Sequence, residues 1–437
     1  MKWWFGTALW KRVLGALVLG IGFGALMSQI MGADAATYLI ESYVRPVGDL
    51  FIRLIRMLIV PLILTTLVAG VYALGDPKRL GPIGGKTIAL YFGTTFFANI
   101  IGIIFGLLFR PGAGADLGGA DAVPVSTETE SLASRLMAIV PDNPVAALAD
   151  SDVLAVIFFA VLLGIGILMA GKAGKPVGDL FNSASDVVLK VTHMVMEVAP
   201  FGVFALVAYT TVSQGLEAFA SIGLLILTVY LGLFTHAILV YGGLIKFVLR
   251  LPLLNFLRGI VDAQAVAYST ASSSATLPVT ITNVVDNLGV KRSVAGSVLP
   301  LGATINMDGT ALYLGILALF TAQAFGYDLT LTHYFMIAFT AAIASIGAAG
   351  IPSAGLFLLA IVLSTFNVPP EQIAIIVGFI LPVDRIMDMA RTALNVTGDA
   401  AVSVAVAKWE GELDEERFRA PADKPMPAEA ADDTRQG

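Results

Sequence analysis

Apolar residues run through this chain in stretches too long for the core of a soluble domain. Residues 13–31 open the series, and 46–74, 86–109, 153–170, 187–212 and 222–248 continue it. Each supplies the ~20 apolar residues that a helix needs to cross the hydrocarbon of a bilayer, so each predicts a transmembrane span. A weaker apolar lead-in from Leu132 precedes the span at 153. Past Arg258 the pattern changes. Residues 263–285 and 334–366 each hold two apolar arms, too short to span, parted by small and turn-forming residues. The first break falls around Ser272, Ser273, Ser274 and Pro278, and the second at residues 347–355, so each segment predicts a re-entrant helical hairpin. Each is followed by a long apolar segment with polar residues inside it. Residues 293–325 carry Asn306, Met307, Asp308, Gly309 and Thr310, and residues 372–407 carry a charged stretch at 382–399. Paired, interrupted hydrophobic segments point to the midplane site of a secondary transporter.

The charged stretch has a helical period. Asp384, Asp388, Arg391, Asn395 and Asp399 point to ~0°, 40°, 340°, 20° and 60° at about 100° per residue. Charges at membrane depth cost roughly 3 kcal/mol each on the lenient insertion scale, and normally face a cavity or partners. The stripe therefore predicts a binding face inside a membrane protein.

Linker charge predicts orientation. Residues 76–86, 172–175, 246–258 and 291–292 are basic, whereas 33–41, 112–131 and 214–217 are neutral or acidic. Basic loops stay in the cytoplasm, which places the N-terminus there. Residues 13–31 read as a span and not a cleaved signal, whose apolar core would be shorter. The composition agrees, with 437 residues, 57% hydrophobic, 13% charged and mean hydropathy +0.85. The absence of cysteine excludes disulfides and thiolate metal sites. Nothing in the net charge of −6 suggests nucleic acid. The segment 411–437 is polar and rich in Pro and Ala, and reads as a disordered cytoplasmic tail. Arg45, Arg53 and Arg56 break the second span and read as snorkelling side chains. His193, His236 and His333 show no ligand spacing and read as packed or interfacial residues.

Three consecutive serines at a break offer hydroxyls and free N–H groups at a helix N-terminus, an anion site, or simply close helix packing. Gly309 and its Asn and Asp neighbours favour local unwinding, which would expose carbonyl oxygens beside Asp308. Oxygen donors suit Na⁺ or H⁺ better than a transition metal. Arg391 supplies a planar fork for a carboxylate, with a structural Arg391–Asp388 pair as the alternative. The carboxylates outnumber the arginine, so bound cations are expected as well. Together these describe a cation-driven symporter. An intramembrane aspartyl protease using Asp308 and Asp384 lacks its Gly-x-Gly-Asp context and leaves Arg391 without a role. An ion channel lined by the stripe is the other alternative.

The motifs Ser272-Ser273-Ser274 with Thr276-Leu277-Pro278, Gly302-Ala303-Thr304-Ile305-Asn306-Met307-Asp308-Gly309-Thr310, Ala349-Gly350-Ile351-Pro352, and Asp388-Met389-Ala390-Arg391-Thr392 with Asn395-Val396-Thr397-Gly398-Asp399 resemble the dicarboxylate/amino acid:cation symporter family. The resemblance reaches to about Glu412. It implies an all-α polytopic membrane protein with eight transmembrane helices, two re-entrant hairpins and inverted repeats. It further implies a homotrimer in the cytoplasmic (inner) membrane that works as an elevator. Residues 1–410 would form the transporter, and about 253–408 its core transport part. By the same resemblance Arg391 holds the substrate's side-chain carboxylate, with Thr310 and the Gly355 region. Asp388 holds its ammonium, with Thr392 nearby. Ser273 within its serine triplet, Asn395 and the second tip with Ile351 and Pro352 hold the α-carboxylate. Asp399 with carbonyls of Gly302, Asn306 and Asn395 forms one Na⁺ site. Thr304, Ser345, Ile346 and Ala348 form a second, and Asp308, Asn306, Tyr91, Thr94 and Thr95 a third.

Ala271 stands where an archaeal relative has an arginine, and Arg385 is expected to act comparably from the last helix. Leu314 replaces the proton-carrying glutamate of animal carriers, so their proton and potassium cycle does not transfer. Asp388 favours an acidic amino acid over an amine-free dicarboxylate, because the C4-dicarboxylate branch has serine there. The expected substrate is L-glutamate or L-aspartate, with a C4-dicarboxylate as the alternative. No enzymatic activity and no cofactor beyond the coupling Na⁺ or H⁺ are expected.

Overall fold

In the computed structural model the described residues are 7, 9–73, 77–115, 137, 140–150, 153–215, 220–346 and 354–420. Among them the regular structure is helical, apart from one isolated antiparallel bridge between Val290 and Leu413. The first half contains α1 (Leu9–Met31), α2 (Ala33–Leu39), α3 (Arg45–Ala73), α4 (Pro77–Phe109), α5 (Pro144–Ala149), α6 (Val153–Met169), α7 (Lys175–Met196), α8 (Ala199–Gln214) and α9 (Ala220–His236). The second half contains α10 (Leu253–Gly259), α11 (Val261–Thr270), α12 (Ser273–Thr282), α13 (Arg292–Ile305), α14 (Asp308–Phe325), α15 (Leu331–Ile346), α16 (Ala354–Leu363), α17 (Pro370–Glu410) and α18 (Glu415–Arg419). Segments Lys11–Met31, Ile83–Phe109, Ser221–Val248 and Arg292–Phe325 are long and apolar enough to cross a membrane.

The expected single span over 187–212 is instead divided. α7 ends at Met196 and α8 begins at Ala199, where Pro200 sits in the first turn of the new helix, the position a proline tolerates best. Glu197 at this break takes both terminal nitrogens of Arg12, at 2.7 and 3.1 Å. Arg45, expected to snorkel, meets Glu41 at 3.1 Å and lies 4.4 Å over the Tyr209 ring. Arg53 is exposed, and the side chains of Arg56 and His193 lie outside the described residues.

Both hairpin candidates resolve into short helices. α11 and α12 have 10 residues each, about 15 Å of rise, half the thickness of the hydrocarbon. They pack on each other and on α17. Their break lies at Ala271, in the left-handed region with φ 51°. Ser272 then caps α12, its hydroxyl accepting from the Ala275 amide at 3.2 Å. Pro278 lies inside α12 and not at the break. α15 and α16 also pack together, and the expected second tip between them lies outside the described residues.

The centre of the molecule is the pair α13 and α14, whose most apolar 18-residue stretch is 94% buried, against 22% for that of α1. α14 touches α4, α9, α15, α16 and α17. The expected unwinding is present: α13 stops at Ile305 and α14 starts at Asp308, with Asn306 and Met307 outside helical geometry. Gly309 permits this interruption to press on α17, since a Cβ there would lie 2.7 Å from the Arg391 carbonyl oxygen.

The tail expected from residue 411 starts as folded chain. Gly411 turns with φ 71°, and Asp414 caps α18. The segment is stitched to the turn after α12: Lys291 N donates to Glu412 O at 3.1 Å and Asp414 N to Gly289 O at 2.8 Å. Phe418 is buried, and Asn255 Nδ2 donates to its carbonyl at 3.2 Å. Lys408 donates to Glu415 at 2.8 Å and holds that carboxyl below its usual range. The polar composition misled here, because one buried phenylalanine is enough to anchor the strap. Residues 421–437 lie outside the described residues.

Candidate substrate and cation site

The stripe on α17 is buried along its whole length: Asp384, Asp388, Arg391, Asn395 and Asp399 are each at most 6% exposed. α14 and the α13–α14 interruption divide it into two clusters. In the first, Arg391 Nη2 meets Asp388 Oδ1 at 2.6 Å and Asp384 Oδ1 at 3.4 Å. The guanidinium carbon lies 3.8 Å from the centroid of the Tyr313 ring, and the Tyr313 hydroxyl donates to Asp384 Oδ1 at 2.6 Å. Arg391 Nε and Nη1 and Asp384 Oδ2 are buried with no hydrogen-bond partner among the described residues. Gly355 at the start of α16 faces this group, since a Cβ there would stand 3.0 Å from Nη1 and 3.2 Å from Thr310 Cγ2. Thr310 and Thr392 are buried. A fork with two unclaimed donors, beside a carboxylate, can take a second carboxylate and an ammonium group together.

In the second cluster, Asn306 Nδ2 donates to Asp399 Oδ1 at 2.9 Å and to the Asn395 carbonyl at 3.2 Å. Asn395 Oδ1 accepts from Gly309 N at 2.8 Å. A Cβ on Gly302 would collide with Asp399 and with the Tyr91 hydroxyl, and that hydroxyl donates to Val298 O at 3.1 Å. Asp308 Oδ1 accepts from Thr95 Oγ1 at 2.6 Å, and Thr94 Oγ1 donates to Tyr91 O at 3.2 Å. Asn306 Oδ1 is buried and has no partner among the described residues. Hard oxygen atoms gathered in this way suit Na⁺.

Other expected residues stand apart in the bonds they make. Thr304 Oγ1 donates to Leu301 O at 2.9 Å, and Ser345 Oγ to Ala342 O at 2.8 Å, each within its own helix. The Ile346 side chain, Ala348, Ile351 and Pro352 lie outside the described residues. Of the serine triplet, Ser272 caps α12, Ser273 is 3% exposed and Ser274 is exposed. Arg385 Nη2 reaches the end of α11, donating to Ser269 O at 3.3 Å and Thr270 O at 3.0 Å, so it bonds the hairpin arm from the last helix. Asp308 and Asp384 sit in different clusters, each with its own partners.

Sequence reasoning missed three members. Tyr313 carries Asp384 and underlies Arg391. His236 and Tyr241 both approach Asp308 Oδ2, at 3.2 and 2.6 Å, so His236 is packed as expected but also partnered to a carboxylate. An ionisable or hydroxyl group inside an apolar helix was the available signal. His333 is buried and accepts from Thr330 N at 3.0 Å at the start of α15.

A family model described as the sodium:dicarboxylate symporter family matches residues 9–409. The chain is 37% identical over 410 residues to the proton/sodium-glutamate symport protein of Bacillus subtilis (strain 168), covering 92% of this chain and 94% of that one. It is 37% identical over 417 residues to the proton/glutamate-aspartate symporter of Escherichia coli (strain K12), with 93% and 94% covered. It is 38% identical over 424 residues to the C4-dicarboxylate transport protein of Rhodospirillum rubrum, with 95% and 91% covered. With buried charge gathered around an interrupted helix pair and a family match over residues 9–409, the chain belongs to the sodium:dicarboxylate symporter family.

Proposed function

We propose that the protein is a secondary active symporter that imports an acidic amino acid, L-glutamate or L-aspartate, with Na⁺ or H⁺ as the coupling ion. One observation carries this reading: Arg391, 1% exposed, keeps Nε and Nη1 without partners among the described residues while Asp388 neutralises it. A substrate with a carboxylate for the fork and an ammonium for Asp388 completes both. The names of the Bacillus subtilis and Escherichia coli relatives support the same substrate class and coupling ions.

In this reading Arg391, Thr310 and Gly355 receive the side-chain carboxylate, and Asp388 and Thr392 the ammonium. Ser272, Ser273, Ser274, Asn395, Ile351 and Pro352 surround the α-carboxylate. Asp399 with Gly302, Asn306 and Asn395 takes one cation. Asp308 with Tyr91, Thr94, Thr95 and Asn306 takes another, and Thr304, Ser345, Ile346 and Ala348 a third. The protein works as a homotrimer of eight spans and two re-entrant hairpins, arranged as inverted repeats, with both termini cytoplasmic in the inner membrane. Residues 253–408 move as an elevator within the membrane domain 1–410, leaving the substrate chemically unchanged.

A C4-dicarboxylate is the second reading, favoured by the Rhodospirillum rubrum relative at 38% identity. Asp388 opposes it, because an amine-free diacid brings no ammonium for this carboxylate and would compete with it for Arg391. Labelled aspartate uptake into proteoliposomes, under an imposed Na⁺ gradient and separately under a pH gradient, tests both ion and substrate. Succinate competing as well as aspartate would overturn the amino-acid reading.

A further inference from the structure

Asp308 has both oxygens committed to side chains. Thr95 Oγ1 on α4 donates to Oδ1 at 2.6 Å, whereas Tyr241 Oη donates to Oδ2 at 2.6 Å and His236 Nε2 lies 3.2 Å from the same atom. His236 and Tyr241 are 0% and 1% exposed, and their rings meet edge to face with centroids 4.8 Å apart.

These two residues stand at i and i+5, which in an α-helix would place them about 140° apart. The chain solves this by widening into a π-helix over Ala237–Gly242, whose i→i+5 bonding brings residues five apart onto one face; such π-turns are frequent at functional sites. Nε2 faces an acceptor oxygen and so carries the ring's proton, while Nδ1 is buried without a partner among the described residues. The widened turn therefore has one evident product, two donors converging on a single carboxylate oxygen.

We propose that His236 and Tyr241 are positioning residues for the coupling cation. By holding Oδ2 they fix the rotation of the Asp308 carboxylate, so that Oδ1, shared with the Thr95 hydroxyl, is the oxygen offered to the ion. The same interruption carries Asn306 Oδ1, a buried acceptor without a partner among the described residues, as a second oxygen. The proposal rests on the reading that Asp308 serves a cation, and it adds that the ion's affinity is set by residues that do not touch it.

The experiment measures the Na⁺ concentration for half-maximal aspartate uptake in proteoliposomes of the full chain. His236→Leu and Tyr241→Phe should each raise it about tenfold, the order expected for one hydrogen bond to a charged group. The aspartate KM at saturating Na⁺ should stay within about twofold. His236→Gln, whose amide can donate in place of Nε2, should restore the Na⁺ dependence. The Na⁺-induced rise in the melting temperature of the purified protein gives a second readout if a variant transports poorly. A parent chain that responds to Na⁺, with variants responding at the same concentration, overturns the positioning role alone. Aspartate KM moving in step with the Na⁺ midpoint overturns it too, as a general structural effect. A parent insensitive to Na⁺ in both uptake and melting overturns the Na⁺ reading and this proposal with it.

Discussion

The two polar clusters share α17 and the broken α13–α14 pair, yet they leave opposite things open. Around Arg391 the atoms without partners among the described residues are mainly donors, Nε and Nη1, with Asp384 Oδ2 beside them. Around Asp308 and Asp399 the atoms without partners among the described residues are acceptors, Asn306 Oδ1 and His236 Nδ1, and the carboxylates are held by Thr95, Tyr241, His236 and Asn306. In the proposed reading the open donor fork takes an anion and the held acceptor set a cation. The two lie close together: Asn395 accepts from Asn306 Nδ2 through its carbonyl and from Gly309 N through Oδ1, and Gly309 rests on the Arg391 backbone. In the proposed reading a cation that draws on Asn306 would pull on the same turn that presents Arg391.

Removing Arg391 should cost the most. Arg391→Ala leaves Asp384 and Asp388 facing each other in a buried site, and breaking a buried pair costs about 3–5 kcal/mol. Uptake of aspartate and glutamate should fall by at least about a hundredfold. Arg391→Lys should not restore it, because a point charge cannot reproduce the fork. Retained cation-induced stabilisation in this variant would show that the two clusters are separable. Asp399→Asn comes next and strikes the other cluster. It keeps a partner for Asn306 but removes the charge, so the Na⁺ midpoint of uptake should rise roughly 30-fold, as loss of one charged ligand predicts. A change in substrate KM with an unmoved Na⁺ midpoint would reverse the assignment of the clusters.

Much of this was legible in the sequence. The stripe on α17 was readable because five polar residues kept one helical phase within an apolar run. The interruption at Asn306 and Met307 was readable because Asn, Asp and Gly at membrane depth are unlikely company for an unbroken helix. Three aromatic members, Tyr313, His236 and Tyr241, were not. Tyr313 lies 71 positions from Asp384 and His236 lies 72 from Asp308, and both look like ordinary core residues until the fold brings their partners. Tyr241 was hidden further, since an α-helical period puts it on the wrong side and only the π-turn corrects it. The division at Glu197 and the docked strap at Phe418 were lost for a related reason: one residue with a distant partner decided each of them.

Asp388→Ser sharpens the comparison within the first cluster. It removes the partner for an ammonium but leaves the fork, so aspartate should weaken by about tenfold or more relative to succinate, the scale of one charge-assisted hydrogen bond. Competition of each against labelled substrate measures the ratio. An unchanged ratio would mean that Asp388 serves Arg391 alone and that the amino group is read elsewhere.

The smallest effect is the most discriminating. Tyr313→Phe keeps a ring beneath the guanidinium, 3.8 Å away in the parent, and removes the hydroxyl that donates to Asp384 at 2.6 Å. Among the described residues Asp384 Oδ1 then has only Arg391 Nη2, at 3.4 Å, and turns its charge more fully on the arginine. The fork becomes better neutralised from within and attracts an incoming carboxylate less. Aspartate KM should rise about three- to tenfold, the net worth of a single buried hydrogen bond, with the Na⁺ midpoint unchanged. Asp384→Asn should act in the opposite direction, since it removes the competing charge while leaving an amide for Tyr313. If both variants shift KM the same way, Asp384 supports the arginine sterically and does not compete with the substrate for it.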